Sequence, residues 1–552
     1  MRRGYPVISE ILCTGCGICP KKCPTKCITI INLAEEAGKV VHQYGVNTFR
    51  MYGMPLPQKK VVGLIGKNGI GKTTALNLLA GNIMPNLGNY SNPPELKEIV
   101  ENLGKVEGEY FKKLFSKEKK SKIALKPQNV DKISEVFEGK VSELLQKTDG
   151  RNAFQEAVRI FELKNVVDKK INEISGGELQ RVAIAAAWCK DAEIYYFDEP
   201  ASYLDIEQRL KVAEALKKLG EERKVIVVEH DLAVFDYLSE YVYVFFGQEN
   251  AYGIVSGLKN TRSGINQYLQ GFLKEENMRF RENEIKFQKT VASERGGVVK
   301  FNYPEFQKKL GGFEFSSDGG DMREGEVVGI VGKNAIGKSL FVKMLAGVEG
   351  SDNGKKLNVD LKVSYKPQYV KAEPGITVGQ LFVRGKLNAQ FFEEAHRKLN
   401  VASLMDKELT TLSGGELQRV AIILALSQDA DIYLLDEPSA FLDVEQRLQF
   451  AQLMQRVIEN SNKVGLVVDH DLVLVDAISS RVMVFDGQSS VKGHGGAPSH
   501  KREGLNKFLK GLDITLRRDV DTFRPRINKP DSQMDRKQKE EGEYYYYDEN
   551  GD

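Results

Sequence analysis

The residues Gly66-Lys67-Asn68-Gly69-Ile70-Gly71-Lys72-Thr73 form a glycine frame that closes on a lysine and a hydroxyl residue. Such glycines let the backbone curl until its N–H groups face phosphate oxygens. Lys72 then supplies positive charge to the β/γ-phosphates, Thr73 a hydroxyl for Mg²⁺, and Asn68 and Thr74 flank the cradle. The frame recurs at Gly332-Lys333-Asn334-Ala335-Ile336-Gly337-Lys338-Ser339, with Ala335 where the first copy has Gly69. Both outer glycines remain, so phosphate binding is expected to persist, with an altered loop shape.

Acidic chemistry follows at matched places. Asp198-Glu199 and Asp436-Glu437 each close an apolar run, IYYFDEP and IYLLDEP. The aspartates suit Mg²⁺, and the glutamates suit orienting or polarising an attacking water. SGGELQRVAI occurs twice, at Ser175–Ile184 and Ser413–Ile422. Ser175, Gly176, Gly177 and Ser413, Gly414, Gly415 would open a helix whose N–H groups and dipole favour an anion.

These residues need a scaffold that brings strand ends and helix starts together. Each glycine frame follows a β-rich run and precedes a helical pattern, which is the βα arrangement of an α/β P-loop domain. The matched motifs make two such domains. KPQ recurs at Lys126–Gln128 and Lys366–Gln368, and the matched histidines are His230 and His470. Lys72 and Lys338 are 266 residues apart but Gln128 and Gln368 only 240, so the first unit carries 26 extra residues within about 89–124. Lys112–Lys122 holds six lysines and one glutamate, with Tyr110, Phe111, Leu114 and Phe115 at helical spacing.

The net charge of +3 over 552 residues implies no nucleic-acid partner by itself; a basic surface must be local. No apolar run approaches a membrane span, and the basic Met1–Pro6 leads into no apolar core, so the chain reads as cytosolic. Five of six cysteines lie within Cys13–Cys27. Cys13, Cys16, Cys19 and Cys23-Pro24 are spaced C-x2-C-x2-C-x3-C-P, the bacterial ferredoxin run for a [4Fe–4S] cluster.

With these motifs in view, both units resemble the ATP-binding cassette superfamily. The resemblance implies that Gln128 and Gln368 sense Mg²⁺, that 202–205 and 440–443 are D-loops, and that His230 and His470 are switch histidines. It also implies two composite sites. Lys72, Thr73, Gln128, Asp198, Glu199 and His230 would work with Ser413–Gly415. Lys338, Ser339, Gln368, Asp436, Glu437 and His470 would work with Ser175–Gly177. Tyr44 or Phe49 would stack on the first adenine, and Tyr303 on the second.

A ferredoxin run ahead of twin cassettes, with an insertion in the first, resembles the E subfamily, the RNase L inhibitor family. So do Met278-Arg279-Phe280-Arg281 and Phe523–Lys529, which resemble its hinges. The implied order is a truncated ferredoxin-like iron–sulfur domain at 1–40 and a first nucleotide-binding domain at 41–270. A hinge at 271–298, a second nucleotide-binding domain at 299–500, and a C-terminal hinge and polar tail at 501–552, frayed from about Asp535, would follow. The implied activity is ATP-driven splitting of ribosomes into subunits, with a link to translation initiation. Implied partners are release or rescue factor, initiation factors, rRNA and the small subunit, which the lysine-rich insertion would touch. The chain would be a monomer whose cassettes pair with each other.

That family has eight cysteines and two clusters, whereas twelve residues precede Cys13. One cluster on Cys13, Cys16 and Cys19 plus Cys23 or Cys27 is the expectation; a cluster-free domain or a start placed too late are the alternatives. Rival functions are an F-subfamily translation ATPase, which lacks a ferredoxin motif, a transporter ATPase subunit, and an idle factor on dormant ribosomes.

Overall fold

A computed structural model describes residues 18–23, 38–116, 121–287, 297–357, 361–385, 387–459 and 462–545. Contacts divide it into two compact units. The first comprises described residues of Met1–Ala201, Lys211–His230 and Leu238–Glu284; the second those of Ser202–Leu210, Asp231–Tyr237 and Ile285–Asp552.

The apolar runs become parallel strands. In the first unit Tyr241–Gln248, Lys60–Ile65, Lys224–Val228, Ile194–Asp198 and Ile123–Lys126 lie side by side in that order, all parallel. Ile194–Asp198 is buried along its whole length, which is why IYYFD shows no polar alternation. Antiparallel pairing through Tyr252–Val255 extends the sheet to nine strands among the described residues. The second unit repeats the order with Arg481–Gln488, Glu326–Gly332, Val464–Val468, Ile432–Asp436 and Val363–Lys366. Both glycine frames therefore leave a central strand, and the Asp-Glu pair ends a strand two places away.

The insertion forms two helices, Leu96–Asn102 and Lys105–Phe115. Phe111 and Leu114 face the core at 0% and 2% exposure, while Lys105, Lys112 and Lys113 are exposed. Tyr110 Oη donates to the Leu79 carbonyl at 2.5 Å and shares a 2.7 Å hydrogen bond with Tyr196 Oη. Leu79 ends the helix Lys72–Leu79 that leaves the phosphate loop, so the phenol caps that helix. Tyr196 lies on the Asp198 strand; its counterpart in the second unit, which has no insertion, is Leu434.

As far as Tyr545, where the described residues end, the polar tail is not frayed. Gln533–Glu541 is a helix capped by Ser532, and Tyr545 is 1% exposed. Arg518 pairs with Asp476 at 2.7 Å, and the Tyr545 hydroxyl bonds the same carboxylate. A buried Asp476 needs those donors, and they fasten the segment. Hydrophobicity alone did not reveal this, because the anchor is polar.

Candidate nucleotide sites

Each phosphate loop is shaped by its strand and its helix. Gly71 and Gly337 precede the helices Lys72–Leu79 and Lys338–Leu345 with φ of 93° and 100°. A Cβ there would lie 2.4 Å from Phe49 and 2.3 Å from Phe315, so only glycine fits. Lys72 Nζ donates to Gly66 O at 2.8 Å and to Lys67 O at 2.5 Å. Lys338 Nζ does the same to Gly332 O and Lys333 O at 2.9 and 2.5 Å. Both ammonium groups thus point into their own loops.

The altered shape expected around Ala335 is absent. Ala335 has φ 57° where Gly69 has 72°, and each carbonyl accepts an equivalent backbone N–H, from Ser490 at 2.8 Å and Asn250 at 2.9 Å. The difference is absorbed opposite. A Cβ on Gly69 would meet Asn250 Oδ1 at 3.1 Å, whereas Ala335 faces the shorter Ser490.

The Asp-Glu pairs sit at strand ends, as expected. Thr73 Oγ1 donates to Asp198 Oδ2 at 2.9 Å. Asp198 Oδ1 and both carboxylate oxygens of Asp436 are buried with no hydrogen-bond partner. Burial raises both pKa values, opposed by the Thr73 and Ser339 hydroxyls and by lysines. Buried orphan carboxylate oxygens beside a hydroxyl fit a hard divalent cation.

Gln128 Nε2 donates to Glu199 Oε1 at 2.8 Å, and His230 Nε2 lies 3.6 Å from that oxygen. The second unit repeats both, with Gln368 to Glu437 at 2.8 Å and His470 at 3.6 Å. Burial pushes the His470 pKa well below its ordinary value and Glu437 upward. A neutral imidazole therefore faces Glu437. Both glutamates adopt left-handed backbone, φ 48° and 45°, a strain of about 1 kcal/mol or more that marks functional sites.

Ser175 and Ser413 cap the helices Gly176–Trp188 and Gly414–Leu426. Their hydroxyls donate to Glu178 at 2.8 Å and Glu416 at 3.0 Å, and the serines and first glycines are exposed. Asp205 and Asp443, in the D-loop segments, cap the following helices through Gln208 N at 2.9 Å and Gln446 N at 3.0 Å.

The aromatic expectations divide. Tyr44 is 51% exposed, and its hydroxyl donates to Thr74 at 3.2 Å. Phe49 packs on Gly71. Tyr303 is a correction: it is 3% exposed with its ring edge-on to Phe341, so core packing occupies the faces an adenine would need. Phe315 lies against Gly337 as Phe49 lies against Gly71, but it is 3% exposed and stacks on Phe485, so it too is core.

Sequence reasoning also missed Lys126, Lys366, Gln180 and Gln418. The ammonium groups of Lys126 and Lys366 donate to the carbonyls of Asp198 and Asp436 at 2.9 and 2.8 Å. Both lysines are 1% exposed, and burial lowers each pKa to about 8. Their presence in both KPQ triplets was the available signal.

Cys19 and Cys23 are half-buried, on and just after the short helix Ile18–Lys22; Cys13, Cys16 and Cys27 lie outside the described residues. No described helix is long and apolar enough to cross a membrane.

The ABC transporter family profile matches residues 50–202 and 317–440, which contain both loops and both Asp-Glu pairs. An uncharacterised ABC transporter ATP-binding protein of Methanocaldococcus jannaschii is 49% identical over 99% of this chain and 91% of its own length. The translation initiation factor RLI1 of Saccharomyces cerevisiae is 43% identical over 99% of this chain and 92% of its own. A solved structure described as ribosome-bound archaeal Pelota and ABCE1 superposes with TM-score 0.91 at 48% identity, over 98% of this chain and 92% of its own. The chain belongs to the E subfamily of ATP-binding cassette proteins. Another solved member, an archaeal ribosome recycling factor in complex with the stalk protein aP1, gives TM-score 0.86 at 48% identity, over 93% of this chain and 100% of its own. This E-subfamily chain thus carries two cassette ATPase domains, and the family explains the paired motifs.

Proposed function

We propose that this chain is an ATP-driven ribosome recycling factor. It splits ribosomes into subunits after termination or rescue, remains on the small subunit, and so connects to initiation. The observation that carries the reading is likeness over nearly the whole chain, at 48% identity, to a structure described as ribosome-bound. Its partners are the small subunit and its rRNA, release or rescue factor, and initiation factors; its place is the cytoplasm.

Two composite sites perform the hydrolysis. Lys72 and Lys338 supply charge to the β/γ-phosphates, and the loop N–H groups cradle the same oxygens. Tyr44 or Phe49 contacts the first adenine. Thr73 and Asp198, or Ser339 and Asp436, with Gln128 or Gln368, hold Mg²⁺, which supplies charge neutralisation when bound. Glu199 and Glu437, each fixed by a glutamine amide, orient the attacking water; His230 and His470 stand beside them, 3.6 Å away. Ser413–Gly415 caps the nucleotide held by the first cassette and Ser175–Gly177 that held by the second, so ATP favours a closed pairing within one monomer.

The exposed lysines of the insertion provide the local positive charge that rRNA phosphates require. Half-buried thiols at Cys19 and Cys23 suit a thiolate-ligated metal. Cys13, Cys16 and Cys19 with Cys23 or Cys27 would hold one [4Fe–4S] cluster, a rigid structural centre for the N-terminal domain. The test is splitting itself. Light scattering of purified ribosomes with rescue factor should fall on addition of this chain and ATP; particles that stay intact at saturating protein would refute the reading.

A further inference from the structure

In each unit the catalytic glutamate's carbonyl oxygen accepts two side-chain hydrogen bonds that the hydrolysis scheme does not use. Glu199 O receives Gln180 Nε2 at 2.8 Å and Lys126 Nζ at 3.2 Å. Glu437 O receives Gln418 Nε2 at 2.8 Å and Lys366 Nζ at 3.3 Å. The same ammonium also holds the preceding Asp carbonyl, at 2.9 and 2.8 Å. The same amide also holds the following Pro carbonyl, at 3.1 and 2.9 Å. Two side chains therefore grip the three consecutive carbonyls of Asp-Glu-Pro.

All four are deeply buried: Lys126 and Lys366 are 1% exposed, Gln180 0% and Gln418 4%. Burying an ammonium is unfavourable, and an apolar side chain of similar volume would fill the space more cheaply. The grip falls on a residue in a disfavoured backbone conformation, φ 48° and 45°. A relaxed φ would swing the carboxylate away from the histidine and from the glutamine amide, so something must hold the peptide. The backbone N–H is held too, Glu199 N to Val228 O at 3.0 Å and Glu437 N to Val468 O at 2.8 Å.

We propose that Lys126 with Gln180, and Lys366 with Gln418, are positioning residues that clamp the catalytic glutamate's carbonyl and thereby aim its carboxylate. This rests on the reading of Glu199 and Glu437 as the water-orienting groups. The clamp joins two segments of a cassette: Lys126 stands two residues before Gln128, and Gln180 lies on the helix that Ser175 caps.

The experiment uses the full-length chain with Glu437→Gln, so that one intact glutamate reports. Lys126→Met should lower kcat for ATP by about ten- to a hundredfold, the cost of misplacing a reacting group by around 1 Å. KM and fluorescent-nucleotide affinity should change by less than about twofold, because the loss is confined to the transition state. Thermal stability should fall modestly, because two buried carbonyls lose a donor, so the kcat, KM and rescue readouts decide the role rather than the melting temperature. Lys126→Arg, which keeps a donor and a charge, should recover part of the rate. Added to Glu199→Gln, Lys126→Met should reduce the residual single-turnover rate no further, because both act through one carboxylate. Gln180→Leu carries the same expectation and serves if Lys126→Met does not fold. An unchanged kcat, a raised KM at unchanged kcat, or a further drop in the Glu199→Gln background would overturn the clamp. Full hydrolysis by Glu199→Gln in the Glu437→Gln chain would instead overturn the glutamate assignment.

Discussion

Replacing Gly69 by alanine recreates in the first loop the residue that the second loop carries at Ala335. The backbone there is left-handed in both, φ 72° and 57°, which costs a residue with a β-carbon about 1–2 kcal/mol. Reduced freedom of the unfolded chain returns about 0.4–1 kcal/mol. The contact decides the rest: the new Cβ would lie 3.1 Å from Asn250 Oδ1, tighter than ordinary van der Waals distance. Gly69→Ala should therefore destabilise the first unit by about 1–2 kcal/mol, a fall in Tm of roughly 2–8 °C for a domain of this size. Ala335→Gly should stabilise the second unit by less than about 1 kcal/mol, because relief of the left-handed backbone is offset by the added freedom of the unfolded chain. Asn250→Ser should recover part of the loss in Gly69→Ala and have little effect alone, so the cycle should be non-additive. Calorimetry of the four proteins measures this. Stabilisation by Gly69→Ala, or an additive cycle, would refute the argument that the loops kept one shape by a paired exchange.

Other consequences follow from the charged groups and the insertion. Burial lowers the Lys338 pKa to about 8, and a bound triphosphate restores it, so binding takes up a proton above pH 8. ATP affinity at the second site should be constant below that pH and fall by at most about tenfold between pH 8 and 9, read by nucleotide titration of a chain with Lys72→Ala. Burial raises the pKa of both Asp198 and Asp436, and each keeps at least one buried oxygen without a hydrogen-bond partner. Asp198→Asn and Asp436→Asn should each raise nucleotide-free stability while losing Mg²⁺-dependent hydrolysis; calorimetry with and without Mg-ATP separates the effects. Tyr110→Phe and Tyr196→Phe should each cost about 1 kcal/mol and couple in a double-mutant cycle, whereas Leu434 has no equivalent partnership to lose.

The phosphate loops, the Asp-Glu pairs and the capped signature helices were readable because their chemistry is local. A glycine frame, a strand end and a helix start are each fixed within about ten residues. The insertion was readable from spacing, since two copies of one unit expose any extra segment. Tyr303 misled because an aromatic ahead of a strand serves core packing and adenine stacking equally well, and only the packed sheet shows its ring to be buried. The tail failed because polar composition hides the burial of Tyr545 on Asp476. Lys126 and Gln180 were invisible as positioning groups for another reason. Each holds a carbonyl outside its own motif, Lys126 at a separation of 73 positions from Glu199 and Gln180 at 19.

If ATP drives the closed pairing that keeps this chain on the small subunit, blocking hydrolysis should trap it there. Glu199→Gln with Glu437→Gln leaves both phosphate loops intact and removes the carboxylates that orient water. Incubated with ATP and ribosomal subunits and centrifuged through sucrose, the double variant should accumulate on the small subunit, with ATP retained, well above the unaltered chain. A double variant that stays at the top of the gradient, or that binds equally without nucleotide, would contradict the account.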